Sequence, residues 1–279
     1  MNQQETTMSD TQQKALENIR QLLIFMRQLR TSPEGCAWTQ AQTLASLVPY
    51  SLEETYELIT AIETGDYAAV CSELGDLLYQ IVFYAQMAEE QGLFSFADVA
   101  GSMLHKHEQR RPQASSVGLS AEQVRQQWDA IKLQQRLASQ SLLADIVPNL
   151  PALMHATKLQ QRAALVGFDW CTIQPVFNKL KEEIAELEQA IANAHSVTPT
   201  AEQLNHIGEE LGDVLFCSAN IARHFALDAE TILRQANQKF IRRFTYIEQA
   251  LKQQGRTLTE ASLDDMEALW QQAKQVEKR

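Results

Sequence analysis

The chain has 279 residues, 45% of them hydrophobic, with a formal net charge of -11 and four cysteines. That length accommodates two domains of ordinary size, and the acidic balance argues against a nucleic acid polymer as partner, since such binding is driven by phosphate neutralisation from a basic surface. Cys36, Cys71, Cys171 and Cys217 form no CxxC and no His-Cys cluster, which argues against structural zinc and suits reduced thiols in a cytoplasmic protein.

Residues 1–14 are polar and lack the apolar core of a signal peptide; they are expected to be disordered. Leu16, Ile19, Leu22, Leu23, Met26 and Leu29 then lie on one stripe, predicting an amphipathic helix over residues 15–30 that Pro33 and Gly35 end. Ser51 with Glu54 three residues on has the spacing of a capping box, predicting a helix start just after Pro49. Gly65 and Asp66 turn into a long helix over 67–91, whose middle, LLYQIVFYAQM, is apolar nearly all round and is expected to be buried. Two more helices are expected over 96–110 and 120–140. Pro148 and Pro151 flank a stretch with neither helix nor strand signal, which places a linker at 141–151 between a first domain, 15–140, and a second, 152–279. The second opens with a helix over 152–165 and the VGFDW turn, and continues with helices over 172–194, 201–225, 228–251 and 263–277. No stretch alternates like a strand for long, and none holds the eighteen or so apolar residues of a membrane span. The fold class is therefore all-α, each half a bundle of four or five helices.

The chain writes one pattern twice. LEETYELITAIE and SELGDLLYQIVFYAQ in the first half are answered by LKEEIAELEQAIA and EELGDVLFCSANIAR in the second, with Trp38 and Trp170 upstream and WDAIK and WQQAK downstream. This is an internal duplication. Glu183 and Glu186 share one helix face, and Glu210 and Asp213 share a face of the next helix; Glu54, Glu57, Glu73 and Asp76 repeat the arrangement. Two such helices packed together would aim four carboxylates at one point, a costly gathering unless protons or a cation compensate. The donors are all oxygens with no histidine at i+3, so the di-iron bundle pattern is not met and Mg²⁺ or Mn²⁺ fits better. Mg²⁺ on a few carboxylates keeps open positions for substrate phosphates, pointing to phosphoryl or nucleotidyl chemistry.

Lys239 and Arg243, four apart in KFIRRF, can face one phosphate while Arg242 faces solvent. Trp270 and Lys274, also four apart, offer a flat ring for a base and a charge for a phosphate. The plainer alternative for each is a solvated face or a core aromatic. In the first copy KHEQRRP keeps Lys106 and Arg110 four apart, but QASSV after it has no aromatic, while Trp128 and Lys132 survive. The histidines show no metal or triad spacing, and GxGxxG, GxxxxGK and GxSxG are absent, which removes the usual dinucleotide, P-loop and serine-hydrolase readings.

The doubled EExxE and ExxD, with GCAW, VGFDW, KFIRRF and EALWQQAK around them, resemble the bacterial MazG nucleoside triphosphate pyrophosphohydrolases from about Ile19 onward. That resemblance implies an all-α homodimer using Mg²⁺, with Mn²⁺ as an alternative, to hydrolyse nucleoside triphosphates to monophosphate and pyrophosphate in the upkeep of the nucleotide pool. By resemblance, Glu183, Glu186, Glu210 and Asp213 match the metal ligands of the second domain and, with Glu182, its catalytic group. Glu54, Glu57, Glu73 and Asp76 match the ligands of the first. Lys179, Glu182, Lys239, Arg243, Trp270 and Lys274 match the substrate contacts. The family's first domain carries RRHPHVF where this chain has QRRPQAS, and an Asp follows the tryptophan of its GCPWD where this chain has Thr39. Those departures count against the first site and not the second. Two other readings stay open: a non-catalytic helical dimer that binds a basic partner, and a pyrophosphohydrolase narrow for one nucleotide such as dUTP or dCTP.

Overall fold

The computed structural model describes residues 8–110 and 142–277 without 195–197, together with isolated positions at 120, 123, 124, 127 and 131. The chain divides into two compact units, Met1–Trp128 and Asp129–Arg279. Among the described residues there are ten α-helices, one 3₁₀ turn and no strand. Most of the helix expected over 120–140, Trp128 and Lys132 included, falls outside the described residues, as does most of QRRPQAS.

The first unit contains α1 (Asp10–Thr31), α2 (Ala37–Ala41), α3 (Val48–Thr64), α4 (Tyr67–Glu90) and α5 (Phe96–Arg110). Helix α1 starts earlier than the apolar stripe does, because Ser9 and Gln12 close a capping box; residues 10–14, expected to be disordered, are helical. The expected capping box at Ser51 does not form. Pro49, read as the end of the preceding segment, sits in the first turn of α3, where a missing N–H costs nothing, and Ser51 lies inside the helix. Its hydroxyl bonds to the Leu47 carbonyl and to Tyr84 Oη at 3.0 Å, so Glu54 is not spent on a cap.

Met26 of α1, Leu47, and Val82, Phe83 and Met87 of α4 form the core of this unit. Most of the apolar middle of α4 is buried as expected, although Ile81 stays exposed. Arg30 ties the ends of α1 and α4 through Glu90 at 2.7 Å and lays its guanidinium over the Phe83 ring. Only glycine fits at position 35: a Cβ there would meet the Leu29 carbonyl oxygen at 2.4 Å. That close approach folds the loop back on α1 and carries Trp38 to Phe83 and Tyr50, at centroid separations of 6.4 and 5.6 Å.

The second unit contains α6 (Ala152–Ala164), α7 (Ile173–Asn193), α8 (Ala201–His224), α9 (Ala229–Gln253), a 3₁₀ turn (Leu258–Glu260) and α10 (Leu263–Val276). Thr200, Asp228 and Ser262 cap α8, α9 and α10 with their side chains. Helices α7 and α8 pack along each other as the main pair of the unit, α6 lies on α8, and α9 packs chiefly on α10. The stretch expected as a linker belongs to this unit instead. Ile146 is buried, and Arg162 of α6 holds the Leu142 carbonyl at 3.0 Å and Asp145 at 2.6 Å. Prolines break a helix or strand, but they do not stop a segment from packing. Among the described residues no helix is long and apolar enough to cross a membrane.

Replacing Phe83 with Ala should cost the first unit about 3–5 kcal/mol. Hydrogen exchange would show faster exchange of the α4 amides, with α8 amides unaffected; equal loosening of both would mean that the units do not hold separate cores.

Candidate metal and nucleotide site

Three of the four carboxylates expected to converge in each unit do so. Glu183 and Glu186 on α7 and Glu210 on α8 present oxygens that all lie within 4.8 Å of one another, and Glu54, Glu57 and Glu73 do the same in the first unit. Asp213 and Asp76, one helical turn beyond Glu210 and Glu73, are exposed and stand outside these groups.

Glu183 is the buried member, only 5% exposed. Lys179, one turn before it, offers compensation, its Nζ lying 2.8 Å from Glu183 and 2.6 Å from Glu182. Those two partners also raise the Lys179 pKa, the Glu182 bond most. The carboxyl of Glu186 is held above the usual carboxylate range, first by its hydrogen bond with Glu183, then by desolvation and by the charges of Glu183 and Glu210. In the first unit Glu54 is raised by burial and then by Asp76, Glu57 and Glu73, and Glu73 by burial and then by Glu57 and Asp76. Beside the second group, burial and then the charge of Glu183 push the Cys217 thiol up.

An all-oxygen cluster spread over 4.8 Å fits a hard divalent cation, whose opposed oxygen ligands stand about 4–5 Å apart. Neither group includes a soft sulfur ligand. His206, assigned no role from its spacing, places Nδ1 3.5 Å from Glu210; its i,i+4 relation to Glu210 was the available signal.

The basic and aromatic residues gather elsewhere in the unit. Arg243 bonds to Glu277 at 2.7 Å and covers the Trp270 ring, which also meets Phe240 at 5.3 Å. Arg242 is the solvent-facing neighbour, as its spacing suggested, with a side chain 61% exposed against 17% for Arg243. Lys239 is exposed and Lys274 half-buried. Among the described residues no ion pair joins Lys239, Arg243 or Lys274 to the carboxylates of α7 and α8. The expected substrate contacts thus form two groups, Lys179 with Glu182 at the carboxylates, and Arg243 with Trp270 between α9 and α10.

The profile of the MazG nucleotide pyrophosphohydrolase domain matches residues 42–115 and 172–247, more than half of the chain and once in each unit. The chain belongs to the MazG family. Both carboxylate triads lie inside the matched segments, whereas Trp270 and Lys274 lie beyond them. A nucleoside triphosphate pyrophosphohydrolase of Escherichia coli K12 is 43% identical over 266 residues, covering 94% of this chain and 99% of that one. The nucleoside triphosphate pyrophosphohydrolase/pyrophosphatase MazG of Thermotoga maritima is 37% identical over 257 residues, 91% of this chain and 94% of that protein. An uncharacterised Bacillus subtilis protein, YabN, is 39% identical across 91% of this chain but only 51% of its own length. The duplicated MazG arrangement therefore runs through the alignments with the first two relatives as well.

Because folding raises the Glu186 pKa, the folded state holds that proton more tightly than the unfolded one. Stability therefore falls as pH rises from the ordinary carboxylate range through the raised value. In chelator at pH 7, Glu186→Gln should melt above the parent protein, and adding MgCl₂ should raise the melting temperature of the parent more than that of the variant. A variant that melts below the parent in chelator would show that the cluster is not repulsive.

Proposed function

We propose that this MazG protein hydrolyses nucleoside triphosphates to nucleoside monophosphate and pyrophosphate with Mg²⁺, Mn²⁺ being the alternative, and that the second unit holds the working site. The observation that carries this reading is the meeting of Glu183 and Glu186 with Glu210 across α7 and α8 inside a family-matched segment. The names of the E. coli and T. maritima relatives support it. Mg²⁺ held by Glu183, Glu186, Glu210 and Asp213 would polarise the triphosphate and lower the pKa of a water.

The residues of the chain do the rest. Lys179 fixes the buried Glu183 carboxylate and keeps a cation beside the phosphate path. Lys239 and Lys274, which carry no ion pair to Glu277 among the described residues, are the further cations assigned to the phosphate oxygens by family resemblance, and Arg243 would have to leave Glu277 to join them. The attacking water forms a new oxygen-to-phosphorus bond, the bridging bond between the α and β phosphates breaks, and pyrophosphate departs with the bonding pair. The proton of the water passes to a carboxylate of the site, with Glu182 the exposed candidate, and on to solvent.

The first unit keeps its triad but has no cation four residues before its first glutamate. Tyr50 stands four residues before Glu54, where the second unit has Lys179 before Glu183. Apolar side chains left exposed at heptad spacing, Tyr67, Leu74 and Ile81 on α4 and Phe177, Ile184 and Ile191 on α7, suit burial in a homodimer. Upkeep of the cytoplasmic nucleotide pool is the role we assign.

Pyrophosphate release from a mixture of nucleoside triphosphates in Mg²⁺ tests the proposal. Glu183→Ala and Asp213→Ala should each cut it by about 100-fold or more while leaving the helical signal intact, and Glu57→Ala should keep most of it. Normal turnover in either second-unit variant would refute the ligand assignment; no release by the parent protein would favour a binding role. Whether one triphosphate or several disappear separates broad from narrow selectivity.

A further inference from the structure

Glu277 stands at the C-cap of α10, the end of a helix where the axial dipole favours cations and disfavours a carboxylate. The helix alone gives no reason for an anion there, but two arginines of α9 do. Glu277 Oε2 accepts from Arg243 Nε at 2.8 Å and lies 2.7 Å from its Nη2, while Oε1 is 3.5 Å from Arg242 Nε. These guanidiniums hold the Glu277 carboxyl below the usual carboxylate range, the hydrogen bond from Arg243 most.

Helical spacing explains how α10 meets them. Trp270, Lys274 and Glu277 follow one another at four and then three residues, so they share a face of α10; Phe240 and Arg243, three apart, share a face of α9. The two faces meet through their rings. The centroids of Phe240 and Trp270 are 5.3 Å apart, and the Arg243 guanidinium covers the same indole at 5.4 Å.

A guanidinium laid on a ring keeps its edge for an anion. That edge matches a carboxylate or phosphate best with two parallel bonds, one oxygen to each N–H. Glu277 meets both donors with the single oxygen Oε2, because its other oxygen is turned to Arg242. A phosphate group has oxygens enough for the two-bond match. Glu277 is also the more exposed partner of the pair and lies at a helix end, where fraying is easiest, so it can leave while Arg243 stays on Trp270.

The first copy supplies a contrast in sequence. Seven residues after the tryptophan, WDAIKLQQ places Gln135 where WQQAKQVE places Glu277. The carboxylate therefore belongs to the copy in which the basic residues and the aromatic ones occur together.

We propose that Glu277 is an internal competitor of the substrate: its carboxylate occupies the anion-binding edge of Arg243, and a polyphosphate must displace it to bind there. The contact sets a threshold for affinity and does not block the site, since a partly exposed ion pair changes binding by about fivefold at most. That the polyphosphate is the tail of a nucleoside triphosphate rests on the hydrolase reading above; the displacement itself does not.

Calorimetric titration with inorganic tripolyphosphate in chelator tests the displacement without hydrolysis. Glu277→Gln keeps a hydrogen-bond acceptor at the end of α10 and removes only the charge. It should bind tripolyphosphate about fivefold more tightly than the parent protein, and Arg243→Gln should bind it more weakly. Adding Glu277→Gln to Arg243→Gln should bring no further gain, because the competition acts through that cation. Equal or weaker binding by Glu277→Gln, or no binding by any of these proteins, overturns the proposal. So does the same gain in the absence of Arg243, which would reduce the effect to relief of net negative charge. With ATP and Mg²⁺, Glu277→Gln should lower KM about fivefold at an unchanged kcat; a KM that stays or rises also overturns the proposal, a rise making Glu277 a clamp that positions Arg243. If the parent protein releases no pyrophosphate at all, the hydrolase reading falls and the calorimetry alone decides.

Discussion

Mutual repulsion among carboxylates is the interaction around which each unit is arranged. Helix α7 brings Glu183 and Glu186, α8 brings Glu210, and the pairing of the two helices holds their oxygens within 4.8 Å. A hydrogen bond with Glu183, then desolvation and the neighbouring charges, raise the proton affinity of Glu186 above that of an ordinary carboxylate, and the charge of Lys179 offsets part of this. Apolar packing elsewhere must supply the stability that the cluster consumes. Functional sites commonly break local folding rules in this manner, and the surrounding structure absorbs the cost.

The two copies carry the same strain with different surroundings. In the first, Phe83, Met26, Leu47 and Met87 make a closed core beside the triad, Arg30 covers Phe83, and no lysine stands where Lys179 does in the second. In the second, Asn220 and Gln160 line a largely apolar cavity, and Asp169 and Arg223 brace the loop that borders it. Both copies retain the carboxylates.

Much of the fold was legible because its signals are local. The apolar stripes and capping residues marked most of the described helices to within a few residues, and ExxE with the glutamate of ExxD marked the carboxylates that meet. What the sequence obscured depended on contacts across the chain. Pro49 looked like an ending because proline breaks a helix interior, yet in a first turn its missing N–H costs nothing and it opens α3. Residues 142–150 looked like a linker because nothing periodic runs through them, yet Ile146 and the Arg162 contacts dock them on α6. Helical spacing placed Arg243 facing a phosphate but could not foresee Glu277, which comes from the end of α10.

The central claim, that helices α7 and α8 build a cation site from opposing carboxylates, is tested most directly by anomalous diffraction from crystals grown with Mn²⁺. A peak among Glu183, Glu186 and Glu210, with Asp213 drawn toward it, is the expected result. Carboxylates left bare in saturating Mn²⁺, or manganese bound only at other surfaces, would contradict it.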